Sequence, residues 1–119
     1  MKLLPQPDID SIDAATVFAA LGDPTRLAIC LMLAEAEETE ARCGHFSGLA
    51  AASNLTYHFA KLREAGVTRA RIQGTARYIS LRREELDRRF PGLLDAALDA
   101  ARSTRASLPA ISSLEEEKV

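Results

Sequence analysis

Residues 53–81 read SNLTYHFAKLREAGVTRARIQGTARYISL, and the spacing of their apolar residues changes partway along. Leu55, Phe59 and Leu62 are spaced as on one face of a helix, with Ser53 as a candidate N-cap. Gly66 is typical of the position just after a helix end. Beyond it, residues 67–72 and 76–81 have the composition of strands on either side of a turn at 73–75. The stretch therefore predicts a helix followed by a β-hairpin.

Upstream of this stretch the sequence predicts two further helices. Asp10 or Ser11 is a candidate cap for a helix that ends at Gly22. Asp23 is a good N-cap for the next one, with Pro24 in its first turn, where a missing N–H costs nothing. A short helix is expected around Arg42–Phe46, followed by a small-residue stretch that permits a tight turn.

Downstream of the hairpin, residues 83–89 predict a short helix, and Pro91 is a candidate first residue of a final helix with a strong apolar stripe. We expect residues 1–9 to form a loose arm, residues 10–106 one domain, and residues 107–119 a frayed acidic tail. The fold class is therefore mainly α with a small β-hairpin wing, the element order of a winged helix-turn-helix.

Charge is distributed unevenly along the 119 residues. Residues 41–90 carry 10 basic and 4 acidic side chains, a net charge of +6, whereas residues 1–40 carry 2 basic and 8 acidic side chains. A basic middle between acidic flanks indicates a face suited to a polyanion.

Composition argues against several classes of protein. At 47% hydrophobic and 27% charged residues the chain is not typical of disorder, and no apolar run is long enough to cross a bilayer. We expect no membrane partner and, with two cysteines and no secretory signal, a cytoplasmic location. Phosphate-binding loops, nucleophile elbows and paired-histidine zinc signatures do not occur, so an enzyme is not expected.

Three stretches resemble the ArsR/SmtB family of bacterial transcriptional regulators: AALGDPTRL at 19–27, LTYHFAKLREAGV at 55–67 and GTARY at 74–78. They match the family's first-to-second helix junction, recognition helix and wing, over roughly residues 10–105. The resemblance implies a homodimeric DNA-binding repressor released from its operator by an inducer. Ala51 and Ala52 depart from the polar residues that the family usually has before its recognition helix.

The DNA-binding residues expected from the outward face of the helix and from the wing are Ser53, Asn54, Thr56, Tyr57, Lys61, Arg69, Arg71 and Arg77. A two-fold symmetric protein of this kind reads an inverted-repeat operator in double-stranded DNA. The resemblance also implies a homodimer formed through the first and last helices, with Val17, Phe18, Leu93, Leu94, Leu98 and Ala101 at the interface. The alternative from another class is a winged-helix protein–protein interaction module without an inducer site.

Two cysteines, Cys30 and Cys43, are the candidate residues for sensing an inducer. Cys43 and His45 form a Cys-x-His pattern where metal and arsenic sensors of the family carry Cys-x-Cys. No cofactor is certain; a metal or metalloid ion at Cys43 is one alternative, with Cys30 or another ligand completing the set, and a thiol switch is another. The remaining alternative is that neither cysteine senses anything. If one does, we expect Cys43, because a helix start and the neighbouring Arg42 and His45 favour its thiolate.

Overall fold

A computed structural model describes residues 2–36 and 39–109 of the chain. Its helices are α1 (Ala14–Leu21), α2 (Pro24–Glu35), α3 (Ala52–Glu64), α4 (Arg83–Arg89) and α5 (Leu93–Ser103). Its strands are β1 (Lys2–Leu3), β2 (Ala41–Arg42), β3 (Thr68–Gln73) and β4 (Ala76–Leu81). Single 3-10 turns lie at Ile9–Ser11, Cys43–Phe46 and Arg105–Ser107. The expected fold class, helices with a small β-hairpin wing, is confirmed.

The sheet is larger than the predicted hairpin. All its neighbouring strands are antiparallel, in the order β1-β3-β4-β2. In the central pair, Ala70 lies opposite Ile79, and both are buried. Lys2 pairs with Ile72 and Leu3 with Arg71, so the prediction that the first residues are a loose arm is wrong for this part of it. Backbone hydrogen bonding along an edge strand holds the segment in place.

Three helix starts differ in detail from the prediction, and one agrees. Asp23 caps α2 as predicted, accepting from the backbone N–H groups of Thr25 and Arg26 at 2.9 and 3.1 Å. The cap of α1 is Asp13, not Asp10 or Ser11, because those two residues form a separate 3-10 turn. Helix α5 begins after Gly92, which takes a left-handed φ of 80°, so Pro91 lies outside it. The third start that differs is that of α3, whose N-cap is Ala51.

The hydrophobic core lies between the helices and the inner face of the sheet. Helix α2 is central: it packs against α1, α3, α5 and β4, and its residues from Ala28 to Leu33 are all buried. Gly66 ends α3 with φ 85°, and a Cβ there would lie 2.3 Å from Cδ1 of the buried Ile12. A side chain at 66 would therefore clash as well as strain the backbone.

Among the described residues, no single helix is long and apolar enough to cross a membrane; α1 and α2 meet that test only jointly, as a pair bent by 95°. The tail that we expected to be frayed lies, from residue 110 onward, outside the described residues.

Candidate nucleic-acid interface

Helix α3 presents a polar face to solvent. Leu55, Phe59 and Leu62 are buried against the core, as their spacing predicts. The side chains on the other face are exposed, and they are Ser53, Asn54, Thr56, Tyr57 and Lys61. All five were predicted as DNA contacts, and the structure brings them together on one surface. A single helix carrying hydrogen-bonding groups and a cation has the size and chemistry to enter a major groove.

Two of these side chains touch each other. Tyr57 is 56% exposed, and Nζ of Lys61 lies 5.5 Å from the centroid of its ring. Residues four apart on a helix are neighbours, so the phenol and the ammonium form a cation–π pair on the surface. The pair presents an amphipathic ring beside a positive charge, a combination suited to a base edge flanked by phosphate.

The first turn of α3 differs from the prediction. The helix begins at Ala52, its N-cap is Ala51, and no side chain caps it, so the prediction of Ser53 as N-cap is wrong. Ser53 lies within the first turn and is exposed. Thr56 donates its hydroxyl hydrogen to the carbonyl of Ala52 at 3.1 Å, which leaves its oxygen lone pairs as acceptors for a ligand.

His58 fixes the opposite edge of α3 to the α1–α2 junction. Nη1 of Arg26 donates to Nδ1 of His58 at 3.0 Å, and the same guanidinium donates to the carbonyls of Ala20 at 2.6 Å and Ala19 at 3.3 Å. These carbonyls belong to the last turn of α1, and that of Ala19 also accepts from the backbone N–H of Gly22 at 3.3 Å. The bridge therefore sets the position of α3 relative to α1.

The Cys43–Phe46 turn supports α3 from the other side. Phe46 is fully buried and meets the ring of Phe59 edge to face, with the ring centroids 5.6 Å apart. The predicted helix at 42–46 is thus a strand residue followed by one 3-10 turn, yet it does brace the recognition helix.

On the wing, two of the three predicted arginines are held by carboxylates of the same chain. Arg71 donates to both carboxylate oxygens of Glu40, at 2.7 and 2.8 Å, and lies 4.4 Å from the Tyr78 ring centroid. The hydrogen bond from Arg71 lowers the pKa of Glu40 below its ordinary value. Arg69 pairs with Glu85, whose pKa is likewise lowered, chiefly by its hydrogen bond with Arg82. Sequence spacing gave no sign of either wing pair.

Arg77 differs from its two neighbours on the wing. It is partly exposed at the start of β4 and has no ion pair within residues 2–36 and 39–109. Among the predicted wing contacts, Arg77 is therefore the guanidinium with its charge available to phosphate.

The predicted dimer residues are distributed differently from expectation. Leu94, Leu98 and Ala101 are buried within the single chain, where α5 packs against α2 and α4. Val17 is buried on α1, which packs against α2 and α3. Their apolar character is thus explained by the chain's own core, and these side chains do not lie on its surface. Phe18 is 61% exposed and Leu93 is partly exposed, so these two are open to a partner.

The two cysteines are separated in environment. Cys30 is fully buried on α2, and burial raises the pKa of its thiol to about 12. Cys43 is half-buried, and burial raises the pKa of its thiol too, against a smaller opposing effect of the positive charge of Arg77. The expectation of a favoured thiolate at Cys43 is therefore wrong. Where the structure describes the chain, no group of three or more His, Cys, Asp or Glu side chains could hold a metal ion.

Comparison with known proteins agrees with this geometry. No family model matches the chain. A curated relative, the uncharacterized HTH-type transcriptional regulator YceK of Bacillus subtilis (strain 168), is 36% identical over 83 residues, which cover 68% of this chain and 82% of the relative. The crystal structure of an ArsR family transcriptional regulator superposes with a TM-score of 0.55 at 23% identity, covering 78% of this chain and 90% of that one.

The fold and the exposed face of α3 define a winged helix-turn-helix protein. The chain belongs to the helix-turn-helix transcriptional regulators, and its fold is that of the ArsR family indicated by its motifs. It is a DNA-binding transcriptional regulator.

Proposed function

We propose that the protein is a homodimeric repressor that binds an inverted-repeat operator and leaves it when an inducer binds. The observation that carries the proposal is the exposed face of α3, where Asn54, Tyr57 and Lys61 lie together without an acidic side chain before Glu64. Helix-turn-helix dimers insert one such helix into each of two half-sites, so the two-fold symmetry of the protein sets that of the operator. Binding to the chromosome implies a location in the bacterial cytoplasm.

A role for α1 in the dimer is supported by its outer face. Ala15, Phe18 and Ala19 are exposed and follow one another at helical spacing. An exposed phenylalanine bordered by alanines is suited to a second copy of the same surface across a two-fold axis. Leu93, at the start of α5, is the other predicted interface residue with surface exposure.

Selection of binding sites from random duplex DNA tests the proposal. Purified protein should enrich an inverted repeat whose half-site centres lie about one helical turn, or a multiple of it, apart. Asn54→Ala and Tyr57→Ala should change the enriched sequence, with a loss of roughly 1–3 kcal/mol where either side chain contacts a base. Ser103→Ala, an exposed change on α5, serves as the matched control.

Two outcomes would overturn the proposal. One is enrichment of no sequence at low salt. The other is capture of an acidic protein partner through the same α3 face, abolished by Tyr57→Ala, with no retardation of DNA.

A further inference from the structure

A cleft of about 980 Å³ lies where the wing meets the segment leading to the Cys43–Phe46 turn. Its walls come from the end of α2, from β2 and the turn that follows, and from the end of the β3–β4 turn with the first two residues of β4. This volume is at the upper end of those found for small-molecule sites. The residues that decide its chemistry are Glu35, Glu40, Arg42, Cys43 and Arg77.

The carboxylates in these walls are already neutralised. Glu40 is held by Arg71, and Glu35 by Arg102, at 3.3 Å, and by Arg105. None of these three arginines lines the cleft. In contrast, the wall residues Arg42 and Arg77 form no ion pair with any residue in the described ranges 2–36 and 39–109. Among the described residues that line the cleft, the unneutralised charge is therefore positive.

Cys43 and Arg77 both line the cleft, each next in sequence to a member of the antiparallel pair Arg42–Tyr78. The thiol of Cys43 is half-buried in the wall, and the field of Arg77 acts on the sulfur. An anion held by Arg77 would thus lie within reach of the Cys43 side chain.

We propose that this cleft binds a small organic anion, with Arg77 as its anchoring cation and Cys43 in the wall against it. The assignment of this anion as the inducer rests on the proposed function, because Arg77 is also the wing arginine whose charge is available to DNA. One guanidinium cannot neutralise both a ligand carboxylate and an operator phosphate. The anion and DNA therefore weaken each other's binding, by the same factor in both directions.

A pair of alkylating reagents tests the site without DNA. Iodoacetate carries a negative charge and iodoacetamide does not, and both react when the Cys43 thiolate displaces iodide. A sulfur–carbon bond forms, the carbon–iodine bond breaks, iodide leaves, and the thiol proton passes to buffer. Because both reactions need the same thiolate, the ratio of the two rates does not depend on the thiol pKa and reports the charge that the reagent meets.

In the full-length native protein, the iodoacetate-to-iodoacetamide ratio at Cys43 should exceed the ratio for the same cysteine in urea. The expected excess is about three- to tenfold, the range for one cation acting on one anion across about 6 Å in an aqueous cleft. Peptide mapping by mass spectrometry separates Cys43 from Cys30. Arg77→Gln should remove the excess and Arg77→Lys should retain it. Arg88→Gln, which removes an exposed arginine outside the cleft, is the matched control.

A native ratio equal to that in urea, or an excess that survives Arg77→Gln, overturns the anion site. The link to DNA is tested separately on the alkylated proteins. Carboxymethylated Cys43, which places a carboxylate beside Arg77, should weaken operator binding more than the neutral carbamidomethyl group, and equal weakening overturns the competition. A wild-type protein that retards no DNA overturns the proposed function alone, because the rate ratio still decides whether the cleft selects anions.

Discussion

Nη1 of Arg26 lies 3.0 Å from Nδ1 of His58, which joins the first turn of α2 to the middle of the recognition helix. Because a guanidinium can only donate, Nδ1 of His58 is the acceptor in this contact. The same guanidinium serves two carbonyls at the end of α1. Arg26 therefore holds three helices together, α1, α2 and α3.

Arg26→Gln should lower the free energy of unfolding by about 1–3 kcal/mol, because it leaves partly buried acceptors without their donor. Urea unfolding followed by circular dichroism measures the loss. Arg63→Gln is the control: Arg63 makes one hydrogen bond, to the carbonyl of Pro5 at 3.0 Å on the surface, and its loss should cost less than about 1 kcal/mol. Equal losses in the two variants would contradict a special role for the Arg26 bridge.

Stability should fall in acid through two carboxylates. The pKa values of Glu40 and Glu85 are lowered in the folded state by hydrogen bonds from Arg71 and Arg82. A carboxyl group whose pKa is lowered by folding stabilises the fold fully when the pH is above its pKa in the unfolded chain, about 4.5. This stabilisation is lost as the pH falls through the lower pKa of the folded state. Both groups are partly exposed, so each should contribute about 1 kcal/mol or less.

Urea unfolding at neutral pH and at about pH 3 tests this assignment. Glu85→Gln should be less stable than wild type at neutral pH, and its stability should change less on acidification. Glu84→Gln removes an exposed neighbouring carboxylate on α4 and should leave the pH dependence unchanged. A wild-type pH dependence in Glu85→Gln would show that another group is responsible.

Structural features that depend on residues close together in the sequence could be predicted, whereas those that depend on distant residues could not. The α2 start at Asp23-Pro24 and the hairpin were predictable, because capping and strand alternation act over a few residues. The strands β1 and β2 have two residues each, too few for any periodicity, and they form only because β3 and β4 offer free edges.

The candidate site follows the same division. The exposed face of α3 could be predicted from its apolar spacing, which Leu55, Phe59 and Leu62 set by being buried. The ion pairing of the wing arginines could not be predicted, because Arg71 and Glu40 are 31 residues apart and meet only when the sheet forms. Similarly, the apolar stripe of α5 has the same sequence pattern whether it is buried by a partner copy or by α2 of the same chain. Only the structure, in which Leu98 is buried within the single chain, distinguishes these two cases.

The labelling rates of the two thiols should differ strongly. Cys30 is fully buried with its pKa raised to about 12, so a reagent reaches its thiolate only when α2 opens. Cys43 is half-buried and should react from the native state. Alkylation below the unfolding transition should therefore accelerate with urea at Cys30 and remain nearly constant at Cys43. Native-state labelling of Cys30 as fast as that of Cys43 would contradict the packing of α2.

Dimerisation should depend on the side chain of Phe18, whereas Leu98 should affect it only through the stability of the folded chain. Phe18→Glu places a charge on the exposed face of α1, so the chain should stay folded and the dimer should dissociate. Leu98→Glu buries a charge in the core and should destabilise the chain itself by about 3–5 kcal/mol. Light scattering with circular dichroism distinguishes these cases. A wild-type monomer at micromolar concentration, or a dimer that tolerates Phe18→Glu, would contradict the proposed interface.

The three wing arginines should contribute unequally to DNA affinity, and the reason is their partners. A cation releases counterions from DNA only to the extent that it brings uncompensated charge to a phosphate. Arg71 is compensated by Glu40, and Arg69 is compensated only in part, because Glu85 also pairs with Arg82. Arg77 has no carboxylate partner among the described residues. Arg77→Ala should therefore lower the slope of log Kobs against log salt by about 1.8 for a dimer, one phosphate contact per protomer. Arg71→Ala should change the slope much less.

Glu40→Gln should have the opposite effect on DNA binding. It removes the carboxylate that compensates Arg71 and leaves the guanidinium in place, so the salt slope should become steeper and affinity at low salt should rise. Retardation assays over a range of salt, on the selected operator and on a random duplex of equal length, give the slopes. Because phosphate contacts carry no base information, each variant should affect the two duplexes alike. A loss in Arg71→Ala as large as in Arg77→Ala would mean that Glu40 releases Arg71 when DNA binds, and the wing would then have to rearrange on the operator.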